Sequence, residues 1–251
     1  MLISERHRLI LELLKEKGNV TVHELVEVTN SSESTLRRDL DQLEKEHYLK
    51  RVHGGASLLQ RKREEPSMVE KSTQNLKEKN NLAKYAVQRI EEGDCVYLDA
   101  GTTTYQMIQH LDKKNIVVVT NGIDHLDALL EKDINTYIIG GYVKKVTRAM
   151  IGSNAYESIQ HYRFDKCFIG TNGIHHKLGF TTPDPEEAQL KAKAIQLSRE
   201  PFVLADHTKF GEVSFSKFAD LHQAKIITNE EDSMMLEKYK EKTDIYIAAF
   251  L

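Results

Sequence analysis

Apolar residues near the N-terminus recur at helical spacing, in short segments separated by polar turns. The first stripe consists of Leu9, Ile10, Leu13 and Leu14. Gly18-Asn19 follows this stripe and is typical of a helix end. Thr21 and Glu24 have the spacing of a capping box, which predicts the start of a second helix. This second helix would carry Leu25 and Val28.

A third helix is predicted to begin near Glu33, because the preceding Ser32 closes a polar turn and is a natural N-cap. Helical spacing places three leucines on its inward face, namely Leu36, Leu40 and Leu43. Its exposed first turns then carry Thr35, Arg37 and Arg38. A recognition helix presents polar and basic side chains to DNA in this way.

Two short runs after the third helix predict a β-hairpin. Residues 48–52 and 56–59 have the composition of strands, and Gly54-Gly55 between them predicts a tight turn. Three helices with a two-stranded wing form a winged helix-turn-helix, which we place at residues 1–60. The alternative is a small helical domain whose arginines are merely solvated. The order of stripe, cap, paired arginines and Gly-Gly turn favours the DNA-binding motif.

A charged segment with a proline follows the predicted wing and indicates a domain boundary. Residues 60–67 include Pro66, the first of only four prolines in the chain. We therefore place a hinge at residues 61–74 and a second domain at residues 75–251. Residues 72–90 predict one long helix at the start of that domain. Its inward stripe would consist of Leu76, Leu82, Ala83, Ala86, Val87 and Ile90.

From residue 95 onward, short apolar runs alternate with helical stretches. Several runs are apolar throughout, as parallel strands buried on both faces tend to be. The predicted strands are 96–99, 116–120, 136–139, 165–169, 202–205, 225–228 and 244–248. The predicted helices are 104–111, 123–130, 154–160, 185–198 and 233–240. This alternation predicts a doubly wound α/β sheet.

Ligands bind beyond the carboxyl ends of the strands in such a sheet, and three polar segments fall there. Asp99-Ala100-Gly101-Thr102-Thr103-Thr104 leaves a strand and opens a helix, where backbone amides and hydroxyls can hold a phosphate. Alone, this loop is equally consistent with an ordinary helix cap. Gly170-Thr171-Asn172-Gly173 and Asp206-His207-Thr208-Lys209 follow two further strands, and the second adds a carboxylate and an ammonium. The convergence favours a pocket for a phosphorylated ligand.

Composition indicates an ordinary globular protein, with 40% hydrophobic and 29% charged residues in a chain of 251. No apolar run approaches the roughly 18 to 20 residues of a membrane span. Glu5, Arg6 and Arg8 come too early for the apolar region of a signal peptide, so we expect a cytoplasmic protein with no membrane partner. Cys95 and Cys167 lie in apolar runs as inert core residues. The sequence predicts no metal site, no cofactor and no catalytic residue.

The formal net charge is −3, and acids and bases nearly balance through residue 60. The positive charge is instead local, on or after the third helix, at Arg37, Arg38, Lys50, Arg51, Arg61, Lys62 and Arg63. A domain that binds duplex DNA needs a basic face rather than a basic chain. The charge distribution is therefore compatible with DNA binding.

Two N-terminal motifs are similar to the signature of the DeoR family of bacterial transcription regulators. They are Leu36-Arg37-Arg38-Asp39-Leu40 and Arg51-Val52-His53-Gly54-Gly55-Ala56. Segments that resemble the family's effector domain follow in the same order, at residues 98–104, 120–122, 140–141 and 206–211. The resemblance covers nearly the whole chain.

This resemblance implies that the second domain has a sugar-phosphate fold similar to that of ribose-5-phosphate isomerase, used as a sensor. The phosphate end of the effector would be held by Asp99, Gly101, Thr102, Thr103 and Thr104. The rest of the pocket would come from Asn121, Gly140, Gly141, Glu187, Lys191, Asp206 and Lys209. Glu187 and Lys191 lie one helical turn apart and could equally form an ordinary surface pair, so Asp206 and Lys209 are the stronger candidates.

Within the family, residues 61–68 and 181–188 look closest to the fructose-operon repressors of Gram-positive bacteria, whose effector is fructose 1-phosphate. The resemblance thus implies a repressor of a sugar-catabolic operon that binds double-stranded operator DNA. A single head of this size buries too little surface for tight operator binding, so we expect a homo-oligomer, either a dimer or a tetramer, that associates through the second domain. A phosphorylated sugar would relieve the repression. Contacts to DNA would come from Ser32, Ser34, Thr35, Arg37, Arg38, Arg51 and His53. Either arginine of the helix can supply the base contact.

An enzyme is the alternative, because a fold alone does not exclude one. An isomerase-type enzyme acting on sugar phosphates would use Asp99, Glu187 or Asp206 as the base, with Lys209 as the electrostatic partner. An isomerase does not need a DNA-binding domain, and the sequence offers no clear second carboxylate paired with the first. A regulator that is not an enzyme is therefore the favoured interpretation.

Overall fold

The computed structural model describes residues 2–46, 48–52, 54–58 and 65–248. Leu59, His53 and the basic run 61–63, which the sequence analysis singled out, lie outside this part of the chain. The chain separates into two compact units, Met1–Arg61 and Lys62–Leu251. Each unit has its own hydrophobic core.

The first unit consists of helices and a small antiparallel sheet. The helices are α1 (Ile3–Lys17), α2 (Val22–Thr29) and α3 (Glu33–Lys45). The strands are β1 (Asn19–Thr21), β2 (Leu49–Val52) and β3 (Gly55–Leu58), in the order β1-β3-β2. The predicted helix-turn-helix and its hairpin wing are confirmed. The pattern does not predict β1, because a run of three residues is too short to show the alternation of a strand.

Polar caps fix where α2 and α3 begin. The hydroxyl of Thr21 accepts a hydrogen bond from the Glu24 N–H at 3.2 Å, and the Glu24 carboxylate accepts one from the Thr21 N–H at 2.8 Å. Ser32 caps α3 by accepting from the N–H of Thr35 at 3.3 Å. Val28 of α2 is 49% exposed. The buried face of the eight-residue α2 consists instead of Val22, Leu25 and Thr29.

The inward leucines predicted for α3 are buried in the core of the first unit. This core contains Ile10, Leu14, Leu25, Leu36, Leu40 and Leu43. Because the leucines occupy one face of α3, Arg37 and Arg38 lie on the opposite, exposed face. The packing of the unit thus decides which side chains α3 offers to a partner.

A seven-stranded sheet forms the centre of the second unit, in the order β15-β14-β12-β9-β4-β5-β6. The strands of this unit are β4 (Cys95–Leu98), β5 (Val117–Thr120), β6 (Asn135–Ile138), β7 (Tyr142–Lys144), β8 (Ala149–Ile151), β9 (Phe164–Gly170), β10 (Gly173–His175), β11 (Gly179–Thr182), β12 (Ser198–Ala205), β13 (Ser216–Ala219), β14 (Lys225–Thr228) and β15 (Ile245–Ile247). All neighbouring pairs in the large sheet are parallel. Each of the seven predicted strands lies in it.

Helices cover both faces of this sheet. They are α4 (Met68–Thr73), α5 (Leu76–Val87), α6 (Thr102–His110), α7 (His125–Glu131), α8 (Ser153–Ile159), α9 (Pro185–Gln196) and α10 (Ser233–Lys240). Val96 and Leu98 of β4 pack in one core with apolar residues of α5 and α6. Tyr97, between them, packs in the other core with residues of α8 and α9. This alternation confirms the doubly wound α/β sheet.

The single helix predicted at residues 72–90 is two helices, α4 and α5. The break falls at Gln74 and Asn75, where Asn75 adopts a left-handed conformation with φ 50°. Asn tolerates this conformation better than most residues, which explains why the chain can turn here. Leu76 is 49% exposed, so its predicted inward position is wrong, whereas the rest of the predicted stripe is buried.

Two smaller sheets lie beside the large one. Strands β7 and β8 form a hairpin, and β10, β11 and β13 form an antiparallel sheet in that order. Neither sheet is predicted from the sequence, because most of these five short strands mix polar and apolar residues and all lack the longer continuous apolar runs that mark buried parallel strands.

Cys167 is fully buried in β9, and burial raises the pKa of its thiol to about 12. Cys95 is half-buried in β4, and both cysteines are free thiols. Within the described ranges, no helix combines the length and apolar character that a bilayer span requires. Nor do three or more His, Cys, Asp or Glu side chains in those ranges group so as to hold a metal ion.

Candidate functional site

The exposed face of α3 carries two arginines in different surroundings. The guanidinium of Arg37 lies 3.3 Å from the carboxylate of Glu33, one turn earlier, and both side chains are more than half exposed. Arg38 is exposed and has no hydrogen-bonding or charged partner within the described residues. Surface pairs at this spacing contribute only about 0.3 to 0.5 kcal/mol, so Arg37 can exchange Glu33 for a phosphate.

Three hydroxyls cluster at the start of α3. The Ser32 hydroxyl lies 3.1 Å from that of Ser34 and 2.9 Å from that of Thr35. The N-terminus of a helix favours anions, and hydroxyls there can donate to phosphate oxygens. All three predicted DNA-binding hydroxyls are therefore brought together at one helix end.

Arg51, which the sequence assigned to the wing, is held against α3. Its guanidinium donates to the Arg37 carbonyl at 3.1 Å and also contacts the Asp41 carboxylate. Its backbone N–H donates to the Glu44 carboxylate at 2.6 Å. These contacts join the wing to the recognition helix. His53, the other predicted wing residue, lies outside the described residues.

A buried ion pair between α1 and α3 escapes sequence reasoning. Asp39 accepts hydrogen bonds from the guanidinium of Arg6, one of them at 3.0 Å, and its carboxylate lies 3.3 Å from the His7 ring. The side chains of Arg6 and Asp39 are 9% and 7% exposed. Burial opposes the charge of Asp39, but the hydrogen bonds and charge of Arg6 hold the pKa of this carboxyl below its usual value. The pair fixes α3 against α1.

In the second unit, the strand order reverses between β4 and β9. From β4 the chain runs to β5 and β6 on one side, then returns to β9 on the other. Loops that leave adjacent strands in opposite directions open a crevice at their carboxyl ends. Asp99 follows β4 at this point, and Gly170 ends β9.

Asp99 and Lys191 form a buried ion pair in this crevice. The Lys191 ammonium contacts the Asp99 carboxylate and donates to the Gly170 carbonyl at 3.0 Å. The Gly170 N–H donates to Asp99 at 3.0 Å. Burial raises the pKa of Asp99 above its usual value, against the opposing effect of the lysine.

Glu187 and Lys191 do not form the surface pair that the sequence left open. They are 7% and 5% exposed. Glu187 instead accepts from the Thr147 hydroxyl at 2.7 Å and from the Lys144 ammonium at 3.1 Å. The two residues therefore face different partners from neighbouring turns of α9.

Some of the polar groups in the Thr-rich loop after Asp99 form hydrogen bonds within the loop itself. The Thr104 hydroxyl donates to the carbonyls of Asp99 and Gly101, at 2.5 and 2.9 Å, so this hydroxyl serves the loop itself. Thr102 is buried, whereas Thr103 is half-exposed. Gly101 is the N-cap of α6, and the first amides of a helix have no partner within the helix. An anion can therefore be held by amides of this turn and by Thr103.

Asn121 organises the loop rather than pointing at a ligand. Its side-chain oxygen accepts from the Tyr97 hydroxyl at 3.0 Å and from the Ala100 N–H at 2.8 Å. Its side-chain nitrogen donates to the Met150 carbonyl at 3.3 Å. These contacts connect the ends of β4 and β5 to β8.

His125 also supports the loop, and no sequence signal points to it. Its Nε2 lies 3.4 Å from the Gly101 carbonyl, which can only accept, so the proton is on Nε2. Nδ1 then accepts from the Thr120 hydroxyl at 2.9 Å. Burial lowers the pKa of His125 to about 4, against the opposing hydrogen bond to Gly101, so the ring is neutral.

Gly140 and Gly141 lie after β6, at the same edge of the sheet but two strands away from β4. A Cβ at Gly141 would lie 2.5 Å from the Ile151 carbonyl oxygen, so packing alone requires glycine there. A Cβ at Gly140 would meet no atom within 4 Å. Neither residue is brought next to Asp99 by a hydrogen bond in the described part of the chain.

Asp206 and Lys209 follow β12, and their charges act on Lys79, a lysine of α5 that the sequence analysis missed and whose ammonium donates to the Lys71 carbonyl. Asp206 is buried and accepts from the Thr208 N–H at 3.0 Å. Lys79 of α5 is 6% exposed, and burial lowers the pKa of its ammonium to about 8; the charges of Lys209 and Lys71 act in the same direction, and Asp206 opposes them. The sequence could have indicated Lys79 only as a lysine on the apolar face of a predicted helix, three residues before Leu82.

Both units match family models. Residues 6–62 match the model described as the DeoR-like helix-turn-helix domain, and residues 74–230 match that of the DeoR C terminal sensor domain. The family resemblance of the sequence motifs is thereby confirmed.

Similar proteins carry related descriptions. The chain is 52% identical over 248 residues to a Bacillus subtilis protein described as the uncharacterized HTH-type transcriptional regulator FruR, with 98% of this chain and 99% of that protein covered. It is 34% identical over 244 residues to the lactose phosphotransferase system repressor of Staphylococcus epidermidis, with 95% of each covered. It is 34% identical over 224 residues to the HTH-type transcriptional regulator GlpR of Haloferax volcanii, with 89% and 88% covered.

Likeness to solved structures is remote. Ribose 5-phosphate isomerase A from Methanocaldococcus jannaschii aligns with a TM-score of 0.41 at 17% identity, over 54% of this chain and 55% of the isomerase. The eIF2B delta protein of Chaetomium thermophilum aligns with a TM-score of 0.47 at 13% identity, over 71% of this chain and 58% of that protein. The chain thus spans little more than half the length of these structures.

Proposed function

Since the chain belongs to the DeoR family of transcription regulators, we propose that it represses a sugar-catabolic operon and that a phosphorylated sugar relieves the repression. The observation that carries the proposal is the presence, in one chain, of a recognition helix with exposed arginines and a crevice suited to an anion. The lactose phosphotransferase system repressor among the relatives supports a role in sugar metabolism. In such a role the protein acts on DNA in the cytoplasm.

Operator binding is assigned to the first unit, within the predicted limits of residues 1–60. Arg38 is free to contact a base or a phosphate, and Arg37 becomes free when it leaves Glu33. The hydroxyls of Ser32, Ser34 and Thr35 would hold the backbone at the start of α3. In this proposal Arg51 orients the wing, and His53 contacts the adjoining groove.

The effector pocket is assigned to the crevice within the predicted second domain, residues 75–251. The amides of the Gly101 turn and the hydroxyl of Thr103 would hold the phosphate, at a helix N-terminus that favours anions. Asp99 and Lys191 would bind sugar hydroxyls from the base of the crevice. Asp206 and Lys209 would complete the pocket. We add Lys79, because its ammonium is buried and has no ion-pair partner among the described residues.

The remaining predicted pocket residues have supporting roles in this proposal. Thr102, Thr104 and Asn121 would fix the shape of the Gly101 turn. Gly140 and Gly141 would shape the loop after β6. Glu187 would hold α9 in place through its hydrogen bond with Thr147.

Self-association is part of the proposed function. A single head of this size buries too little surface for tight operator binding, and most such proteins place two heads on a symmetric site. We therefore expect a dimer or a tetramer. Sedimentation velocity of the purified chain measures this directly, and a monomer at the concentration that retards operator DNA would contradict it.

The test is a titration of operator DNA with the purified protein in the presence of fructose 1-phosphate, fructose 6-phosphate, unphosphorylated fructose or inorganic phosphate. The resemblance to fructose-operon repressors makes fructose 1-phosphate the expected effector. We expect it to weaken operator binding about 5- to 150-fold, the usual range of allosteric coupling. Operator binding that is indifferent to every phosphorylated sugar would overturn the proposal.

The same preparation tests the enzyme alternative. The protein is incubated with each phosphorylated ketose, and the products are followed by NMR. We expect no conversion, because the carboxylates of the crevice are committed to Lys191 or to a helix cap. Sustained turnover at rates typical of enzymes, about 1 to 1,000 per second, would replace the regulator with an isomerase.

A further inference from the structure

Two segments that are far apart in the sequence meet at the ammonium of Lys144. Glu65, four residues after the first unit ends at Arg61, contacts it. Asp184 lies 2.8 Å from the same ammonium, and Glu187 lies 3.1 Å from it. We call these four residues, Lys144, Glu65, Asp184 and Glu187, the Lys144 junction.

The Lys144 junction brings one ammonium and three carboxyl groups together in a largely buried place. The side chains of Glu65 and Glu187 are 7% and 8% exposed, and those of Lys144 and Asp184 are 17% and 22% exposed. Burial opposes the charge of Glu65, but the charges of Lys71 and Lys144 hold its pKa below the usual value. Burial likewise opposes the charge of Lys144, but Glu187 and the other carboxylates raise its pKa. Buried charges this closely paired resist being separated one at a time.

One side of the junction is tied to the segment that leads from the first unit. The Glu65 carboxylate, three residues before α4, also lies 3.0 Å from the ammonium of Lys71 on that helix. The Met68 N–H donates to the Val146 carbonyl at 3.1 Å, which holds the same segment on the β7-β8 hairpin. The start of the second unit is therefore attached to the rest of that unit at several points, and among the described residues Glu65 is the first of these attachments after the DNA-binding unit.

The other side of the junction is tied to the proposed effector crevice. Glu187 and Lys191 lie one turn apart on α9, and the Lys191 ammonium contacts Asp99. A sugar that forms hydrogen bonds with Asp99 or Lys191 would change the hydrogen bonds that α9 makes at Lys191. If α9 shifts as a rigid element on binding, the carboxylate of Glu187 shifts with it.

We propose that Lys144 is a positioning residue that couples effector binding at Asp99 and Lys191 to the placement of the segment beginning at Glu65, and so to the DNA-binding unit. The inference rests on the proposed function. The junction has two arrangements, with Glu65 held or released, and the effector binds one of them more tightly. Removing the Glu65 contact removes that difference, and the effector then loses its influence on operator binding.

Glu65→Gln is the variant of choice, because it keeps the shape of the side chain and leaves Lys144 paired with Asp184 and Glu187. Lys144→Arg is the conservative variant, which keeps the charge and can still contact all three carboxylates. Glu186→Gln is the matched control. Glu186 is the exposed neighbour of Glu187 on α9, and its substitution removes the same charge from the same helix.

The experiment measures operator affinity of the full-length protein with and without each phosphorylated sugar named above, and separately measures sugar affinity by calorimetry. The ratio of the two operator dissociation constants is the coupling factor. We expect Glu65→Gln to bring this factor below about 3-fold from the usual 5- to 150-fold range, with sugar affinity in the absence of DNA within about 3-fold of the wild type. Lys144→Arg and Glu186→Gln should keep most of the wild-type factor.

A merely structural role would lower the melting temperature or the sugar affinity and leave the coupling factor unchanged. A Glu65→Gln protein that binds the sugar and responds like the wild type therefore overturns the inference and leaves the proposed function standing. A wild-type protein that responds to no phosphorylated sugar overturns both.

Discussion

Acid is expected to destabilise the second unit through one buried histidine, His125. The ring is 1% exposed, and burial lowers its pKa to about 4 from the ordinary 6.5, against the opposing hydrogen bond to the Gly101 carbonyl. It supports the loop proposed to hold the effector's phosphate, so its protonation state matters for both stability and binding.

The sign follows from the linkage between proton binding and folding. The unfolded chain protonates this ring as the pH falls below 6.5, whereas the folded protein does so only near pH 4. The stability due to the neutral ring is thus fully present above pH 6.5 and is lost as the pH falls toward 4. For these two values the loss is about 2 kcal/mol at pH 5 and about 3 kcal/mol below pH 4.

His125→Gln is the matching variant, because an amide can still donate to Gly101 and accept from Thr120 but does not titrate. Urea unfolding followed by circular dichroism at pH 7 and pH 5 gives the change in the free energy of unfolding. The wild type should lose about 2 kcal/mol more than the variant. His161→Gln, at an exposed position, should behave like the wild type. If the wild type and His125→Gln lose equal free energy of unfolding between pH 7 and pH 5, the conclusion that His125 is buried and neutral is refuted.

Three further outcomes are expected. Replacing Arg37 and Arg38 together by Ala should abolish retardation of operator DNA in gels and leave sugar binding intact; retained retardation would mean that another surface binds DNA. Asp39→Ala should destabilise the first unit by about 3 kcal/mol in urea unfolding, because it leaves a buried arginine unpaired. Asp41→Ala, on the same helix but 58% exposed, should cost about 0 to 1 kcal/mol, and similar losses would contradict this contrast. Thr103→Val should give a protein that binds operator but is not released by the sugar phosphate, whereas normal release would remove this loop from the pocket.

Local sequence patterns determined most of the secondary structure. The predicted start of α3 at Glu33 and its cap at Ser32 agree with the structure, and all seven predicted strands lie in the large sheet. These features depend on the period of apolar residues and on caps that act within three residues, both of which can be read from a short window. The same patterns misplaced Leu76, because apolar spacing does not say whether a neighbouring element is there to cover a side chain.

The placement of the loop at Asp99 beyond a strand was also predictable, because parallel strands end at one edge of their sheet. What the loop residues do was not. The hydroxyl of Thr104 donates to a carbonyl of its own loop, and the side chain of Asn121 accepts from a backbone amide of that loop. Both are residue types that often bind ligands, but here they stabilise the loop. Composition gives the donors present at a site but not the direction in which each one points.

The sequence by itself therefore determined the two kinds of domain, the order of their elements and the edge of the sheet where a ligand can bind. Only the tertiary structure decided which charges meet. Lys191 pairs with Asp99 across 92 residues, and Lys144 with Glu65 across 79. Caps and amphipathic periods act between near neighbours in the chain, whereas a buried ion pair requires only that two side chains be close after folding, and no local pattern records that proximity.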